Sequence, residues 1–196
     1  AGIPILILIY MTIAFTFRSF SQPILLILLV PLSITGVAWG HWIHSFPLNI
    51  LSVLGIIALI GIMVNDGLVL IGKFNNNLRE GQLFDDALLN AGKSRFRAIF
   101  LTSITTVAGL APLLLEKSRQ AQFLKPMAIS VSYGITFATL LTLIVLPIFL
   151  SYSNQIKVYL KWLSSGNFPS KEAVERALKE KKDEEKMKAV EGSTIE

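Results

Sequence analysis

Long uninterrupted runs of apolar residues dominate this chain, where a soluble protein would interleave apolar with polar positions. The runs predict five membrane spans, at about residues 1–17, 23–43, 48–73, 98–115 and 126–152. At a rise of about 1.5 Å per residue, about 20 apolar residues cross the bilayer core as a helix. The first run is short for a span, so we expect a helix truncated at its start and a chain that is a fragment of a longer protein. The pattern therefore predicts an all-α membrane protein.

Two regions outside the spans carry patterns of their own. Between the third and fourth spans, apolar residues at i, i+3, i+4 and i+7 predict an amphipathic helix over about 83–92 that lies on the membrane surface. After the fifth span, residues 153–196 become strongly charged, with few apolar positions. That composition favours a solvated charged helix or a partly disordered tail. We expect a helical bundle over 1–152 and a cytoplasmic tail over 153–196.

Composition and charge narrow the class of protein. Hydrophobic residues make up 53% of the chain and charged residues 16%, which excludes an ordinary soluble domain. Cysteine is absent, so the chain has no thiolate metal site. The net charge of +5 does not indicate nucleic acid, because most basic residues near the spans fall on one side of the predicted membrane. The positive-inside rule makes that side, and the C-terminus, cytoplasmic. The richer side carries Arg18, Lys73, Arg79, Lys93, Arg95, Arg97, Lys157 and Lys161, and the other carries Lys117, Arg119 and Lys125.

The principal candidate for chemistry is Asp66, the one acidic residue inside a predicted span. A charged side chain at the bilayer centre costs about 2.5–3.5 kcal/mol on insertion scales, so a helix that keeps one usually uses it. Lys73 follows seven residues later, about 10 Å away in helix rise, which places Asp66 inside the span. We predict a carboxylate that takes up a proton from one side of the membrane and releases it to the other. The alternative is a structural residue satisfied by neighbouring polar groups or reaching toward water.

Polar and small residues near Asp66 extend the predicted relay. Asn65 shares a helix face with Ala58 and Gly61, which predicts contact with another helix. Thr102, Thr106 and Gly109 share a face of the fourth span and would line a hydrated path. The alternative for the threonines is hydrogen bonding to their own helix. Small residues recur every four positions in the fifth span and predict close helix packing, at Ser130, Gly134 and Ala138.

Other chemistry has little support in the sequence. His41 and His44 lie in a turn at the membrane edge with no Cys, Asp or Glu nearby, so we interpret them as interfacial residues and expect no metal site. No phosphate-binding loop, zinc-protease motif or serine-hydrolase motif is present. The chain is therefore predicted to be a transporter component and not an enzyme.

Five segments together resemble the resistance–nodulation–division (RND) efflux permeases. The most specific are GIMVNDGLVLI and RFRAIFLTSITTVAGLAPL, which carry the candidate residues. The resemblance covers about residues 1–152 in the order and spacing of that family, and does not cover the tail. The matching segments are residues 18–23, 30–32, 61–71, 95–113 and 138–147.

The resemblance implies an architecture and a mode of action. RND permeases consist of two six-helix repeats with large periplasmic insertions, so this chain would supply the last five spans of the second repeat. They are inner-membrane, multi-pass and typically homotrimeric proteins that use the proton gradient and no cofactor. They export amphiphiles or metal ions, multidrug efflux included, through a periplasmic adaptor and an outer-membrane channel. We expect export of amphiphilic small molecules, with the missing N-terminal half and periplasmic domains as the chain's first partners.

One departure from the family pattern changes the expected relay. In the drug-exporting branch, a lysine that contacts an acidic pair in the missing half falls on Asn65, and the neighbouring asparagine falls on Asp66. The relay threonine of the family falls on Thr102. The positive partner is thus absent here, and we expect Asp66 to supply a titrating group instead. The alternatives are a non-exporting RND-like protein, of the sterol-sensing or protein-translocation type, and a purely structural membrane anchor.

Overall fold

The computed structural model describes residues 21–166 and 168–193, together with Ile7, Tyr10, Met11 and Ala14. Most of the first predicted span therefore lies outside the described residues. The described part is helical and contains no strand, which confirms the all-α prediction. Four of its helices are long and apolar enough to cross a membrane.

The helices follow one another with short connections. Four helices follow in chain order, namely α1 (Ser21–Ile43), α2 (Ile50–Arg79), α3 (Phe84–Leu115) and α4 (Arg119–Leu140). A π-helical segment (Leu141–Val145) joins α4 to α5 (Leu146–Ser165), so that the two helices form one long rod. A 3₁₀ turn (Glu172–Val174) and α6 (Arg176–Ser193) complete the tail.

Individual residues explain where α2 begins, why a π-helical segment interrupts the α4–α5 rod, and where α5 ends. The Asn49 side chain accepts hydrogen bonds from the Leu51 and Ser52 amides at 3.0 Å, and the Ser52 hydroxyl accepts one from the Asn49 amide. This capping box starts α2. Pro147 has no amide hydrogen to close a regular turn, and the π-helical segment ends two residues before it. Gly166, with φ of 71°, ends α5 in the left-handed conformation that favours glycine.

Two helices are longer than the apolar pattern suggests. Residues 84–92 and 98–115 belong to the single helix α3, so within this described stretch the predicted surface helix is not a separate element. The intervening Lys-Ser-Arg-Phe-Arg stretch contains neither glycine nor proline, and nothing in it interrupts the backbone hydrogen bonds. Likewise α5 continues past residue 152 to Ser165, because the next helix-ending residue is Gly166.

The core of the bundle lies around α4, which packs against α1, α2 and α3. Small residues allow this close approach. A β-carbon added at Gly55 of α2 would lie 2.7 Å from the Met127 carbonyl oxygen and 2.8 Å from the Ser130 β-carbon. One added at Gly134 would lie 2.3 Å from a Leu59 methyl group. Packing through small residues is how helices associate in lipid, where the hydrophobic effect does not drive them together.

The tail is folded back on the bundle, although we expected a solvated segment. Val174 and Ala177 are buried, and so is the carboxylate of Glu175, which accepts a hydrogen bond from the Asn154 side chain at 2.7 Å. Lys157 forms an ion pair with the same carboxylate at 3.3 Å. From Lys179 to Met187, α6 is highly charged and mostly exposed, in keeping with the expectation for a solvated helix. Val174 and Ala177 are thus buried apolar positions through which the tail packs, whereas Leu163, Phe168 and Met187 are exposed.

The tail also caps α3. Leu83 offers no side-chain acceptor at the start of that helix, and the Phe84 amide donates instead to Glu172 Oε1 at 3.0 Å. This hydrogen bond is the main reason that the pKa of Glu172 lies below its usual value. Arg79 at the end of α2 pairs with Glu180 at 3.2 Å, so α2, α3, α5 and the tail meet at one end of the bundle.

Candidate functional site

Asp66 lies in the middle of α2 and is largely buried, with 8% of its surface exposed. Helical spacing places it beside Met63 and Leu70, both of which are buried. The next residue, Gly67, packs directly on Leu26 of α1, because an added β-carbon there would lie 2.2 Å from a Leu26 methyl group. Asp66 is thus a largely buried carboxylate with apolar neighbours on its own helix.

The Asp66 carboxylate has no hydrogen-bond or ion-pair partner among the residues that the structure describes. A buried charge normally needs a partner, because desolvation of an isolated carboxylate is very costly. In this bundle the nearest lysine along the helix, Lys73, is about two turns away. The arrangement suits a carboxyl group that is neutral, or whose partner comes from a part of the protein outside these residues.

Asn65 points in a different direction from Asp66. Its side chain is exposed and makes no hydrogen bond with a described residue. Ala58, Gly61 and Val69 are exposed on the same face of α2, and no atom lies within 4 Å of a β-carbon built at Gly61. The predicted helix contact at Asn65 and Gly61 is therefore not made by α1, α3 or α4, and it stays a prediction about the rest of the protein.

The two relay threonines bond to their own helix. Thr102 donates to the Ala98 carbonyl at 2.7 Å, and Thr106 donates to the Thr102 carbonyl at 2.8 Å. Thr102 is exposed, as is Gly109 on the same face. None of the four predicted relay residues hydrogen-bonds to the side chain of another in the described structure. The threonine-bearing face of α3 and the Asn65 face of α2 are both left uncovered by the described helices.

The small-residue stripe of the fifth span is packed. Ser130, Gly134 and Ala138 are all buried on α4. Ser130 also hydrogen-bonds to His41 Nε2 at 3.0 Å, and His44 Nε2 bonds to the Tyr133 hydroxyl at the same distance. The two histidines thus tie the α1–α2 connection to α4. No group of three or more potential metal-ligating side chains occurs within the described ranges.

Several polar contacts were not evident from the sequence. Ser103 of α3 hydrogen-bonds across to Thr139 of α4, although its neighbours Thr102 and Thr106 seemed the stronger candidates. Gln22 and Asn75 form a reciprocal amide pair at 3.0 and 3.2 Å. Hydroxyl and amide residues in apolar helices signal that such contacts exist, but only the helix rotations decide which pairs form.

Comparison with known proteins gives a consistent assignment. Residues 3–153 match the AcrB/AcrD/AcrF family. The chain is 31% identical over 142 residues to the swarming motility protein SwrC of Bacillus subtilis, covering 72% of this chain and 14% of that protein. It is 29% identical over 143 residues to the cobalt-zinc-cadmium resistance protein CzcA of Cupriavidus metallidurans, covering 73% and 14%. The multidrug resistance protein MdtC of Proteus mirabilis is 26% identical over 144 residues, again with 73% and 14% covered.

A solved structure agrees with these relatives. The crystal structure of a heavy metal efflux pump superposes with a TM-score of 0.67 at 28% sequence identity, covering 76% of this chain and 15% of the pump. The chain therefore spans about one seventh of the length of the relatives it matches.

Proposed function

Because the chain belongs to the AcrB/AcrD/AcrF family of permeases, we propose that it is the C-terminal membrane portion of a proton-driven efflux transporter. In this proposal the chain couples proton movement to the export of amphiphilic small molecules. The cargo itself is handled outside the described helices. The family assignment does not itself give the energy source, the cargo or the residue that carries the proton.

The observation that carries the proposal is the largely buried carboxyl group of Asp66, which has no hydrogen-bond or ion-pair partner among the described residues. A charge in this apolar position costs about 2.5–3.5 kcal/mol on insertion scales, unless a cation or a hydrogen-bond donor approaches it. Binding of a proton removes that cost. The charge state of Asp66 and the position of a partner helix are then coupled, which is what proton-driven conformational change requires.

We assign the partner to the rest of the permease. The uncovered face of α2 carries Asn65 and Gly61, and the uncovered face of α3 carries Thr102 and Thr106. A packed neighbour along these faces would line a polar path with Asn65 and the threonines, on the side of α2 next to the face that holds Asp66. In this proposal the threonines and Asn65 contribute hydroxyl and amide groups along the path, and Asp66 carries the proton.

The proposed orientation in the membrane follows from the distribution of basic residues. The end of the bundle where Arg79 meets the tail would face the cytoplasm, in accord with the positive-inside rule. The permease would lie in the inner membrane as a homotrimer. It would act with a periplasmic adaptor and an outer-membrane channel, as the family resemblance implies.

The test compares carboxylate variants of the full-length permease in proteoliposomes that carry a pH gradient. Asp66→Asn removes the titrating group at nearly constant size, and we expect it to lower proton-coupled export of an amphiphilic dye by about 10²-fold or more, the contribution typical of a positioned proton-transfer group. Asp66→Glu should retain part of the activity. Asp86→Asn, which changes an exposed carboxylate at the start of α3, is the matched control and should transport normally. Gradient-dependent export by Asp66→Asn at the wild-type rate would refute the proposal and favour a structural role.

A second candidate cargo is a divalent metal cation. Its support is the similarity to the cobalt-zinc-cadmium resistance protein and to the heavy metal efflux pump. Growth assays separate the two cargoes: the full-length permease should raise tolerance to amphiphilic dyes and detergents under the first proposal, and to zinc or cobalt salts under the second. Dependence of either phenotype on Asp66 would support the proton relay independently of the cargo.

A further inference from the structure

An apolar groove of about 460 Å³ runs between α3 and the α4–π segment, on the outer surface of the bundle. Its α3 wall is formed by bulky residues, among them Phe96, Phe100 and Ile104, and its other wall includes Leu140 and Ile144. The rings of Phe96 and Phe100 stack at 5.4 Å along one edge. The volume falls within the range of about 300–1,000 Å³ that is typical of small-molecule sites.

The hydroxyl groups in the groove do not offer polar contacts to an occupant. Ser103 and Thr139 hydrogen-bond to one another across its floor. Thr136 donates to the Ser132 carbonyl at 2.8 Å. With these groups already bonded, the wall presents hydrocarbon, which fits an alkyl chain better than a polar molecule.

A basic stripe continues the groove toward the tail end of α3. Lys93, Arg97, Phe100 and Ile104 follow one another at i, i+4, i+7 and i+11, and so lie on one face of the helix. Lys93 and Arg97 are exposed, and neither forms an ion pair with a described residue. Helix α5 contains no Asp or Glu, and Asp86 lies about 10 Å beyond Lys93 in helix rise.

We propose that the groove binds an anionic phospholipid, with one acyl chain between α3 and α4 and the phosphate at Lys93 and Arg97. The α3 wall from Phe96 to Ala111 rises about 22 Å, which accommodates the roughly 15 Å depth of one leaflet. A protein helix is a poorer occupant, because membrane helices meet through small residues and this wall is aromatic and branched. The lipid supplies both the alkyl chain and the negative charge that the surface lacks. This site is independent of the proposed proton relay.

Photocrosslinking of the full-length permease in nanodiscs tests the site directly. Phe100→p-benzoyl-phenylalanine places a reactive ketone in the groove, and the nanodiscs contain phosphatidylcholine with a minor fraction of phosphatidylglycerol. We expect crosslinks to lipid, enriched in phosphatidylglycerol over its share of the bilayer. Crosslinking mainly to another segment of the permease, or to the two lipids in proportion to their abundance, would overturn the proposal.

Charge variants made in the same background identify the headgroup contact. Loss of each basic residue near the surface should weaken phosphatidylglycerol capture about fivefold, so Lys93→Gln with Arg97→Gln should abolish the enrichment. Lys117→Gln with Arg119→Gln removes the same charge from the opposite end of the bundle and should leave the enrichment unchanged. Equal enrichment in both double variants would refute the assignment of the phosphate to Lys93 and Arg97.

Discussion

Helices α3 and α4 have similar hydropathy, but α4 is packed against its neighbours whereas α3 is largely exposed. In the most hydrophobic window of α3 only 11% of residues are buried, whereas the corresponding value for the α4–α5 rod is 39%. α4 presents Ser130, Gly134 and Ala138 to its neighbours, and other helices approach it closely. α3 presents threonines on one face and phenylalanines on another, and most of them are exposed.

The difference shows that hydropathy alone does not tell how a membrane helix is used. Small residues mark the surface that this chain packs for itself. The threonine face of α3 and the Asn65 face of α2 are polar enough to serve another helix, and the phenylalanine face is apolar enough to serve lipid. α3 is held mainly at its tail end, where Phe84, Ala87 and Ala91 are buried, and beyond them its buried residues are Ile99 and Ser103.

The largest effect is expected from disrupting the packed side. Gly55→Val places a branched side chain against the Met127 backbone, which cannot move aside as a flexible side chain would. We expect a loss of about 1–3 kcal/mol in the free energy of unfolding, in the upper part of that range. The measurement is thermal or detergent-induced unfolding of the full-length permease.

Gly92→Val is the matched control on α3. No atom lies within 4 Å of a β-carbon at Gly92, and the residue is also inside a helix. The substitution should change stability by less than about 1 kcal/mol, since valine is a better helix former than glycine. Equal destabilisation by the two variants would remove the distinction between a packed and an open helix.

A smaller effect is expected where the tail is attached to α5. Glu175→Ala leaves the Asn154 amide and Lys157 without their shared acceptor. Because the Lys157 side chain is 25% exposed, we expect the lower part of the range of about 1–3 kcal/mol that an unpaired buried group costs. Hydrogen exchange should accelerate in residues 168–187 and at the start of α3.

The matched control for this variant is Glu185→Ala on α6. Its partner Lys181 lies 3.9 Å away and both side chains are exposed, so the pair adds little stability. Exchange should remain as in the wild type. If Glu185→Ala loosens the tail as much as Glu175→Ala, the buried carboxylate is not what fastens it.

The sequence predicted the fold class and the family because both depend on local signals. Runs of apolar residues give helices of the required length whatever their neighbours are, and the motif around Asn65 and Asp66 is specific to one family. The close packing predicted at Ser130, Gly134 and Ala138 is likewise a property of one helix face. These features can be recognised before any tertiary contact is known.

The features that the sequence did not predict depend on helix rotation or on distant segments. Thr102 and Ser103 are adjacent and chemically alike, but only Ser103 faces α4. The cap of α3 comes from Glu172, which is 88 residues from Phe84 along the chain, and no residue near Leu83 in the sequence indicates it. Gly61 and Gly109 resemble packing residues, yet their partners are absent from the described helices. A pattern in one helix cannot specify which neighbour covers it.

The smallest effect tests the Glu172 cap through pH. The Phe84 amide stabilises the carboxylate form, so the pKa of Glu172 in the folded chain lies below its ordinary value of 4.5. The stabilisation is therefore complete above that ordinary value and is lost as the pH falls through the lower folded pKa. We expect hydrogen exchange of the Phe84 amide, corrected for its intrinsic pH dependence, to lose protection over that window.

Glu172→Gln keeps an oxygen acceptor but cannot titrate, so protection of the Phe84 amide in this variant should be weaker and independent of pH there. The Asp85–Lys171 ion pair lies beside the cap, and Asp85→Asn serves as the control that should keep the pH dependence. If that dependence follows Asp85 instead of Glu172, the tail is attached to α3 by an exposed ion pair and not by the capping hydrogen bond.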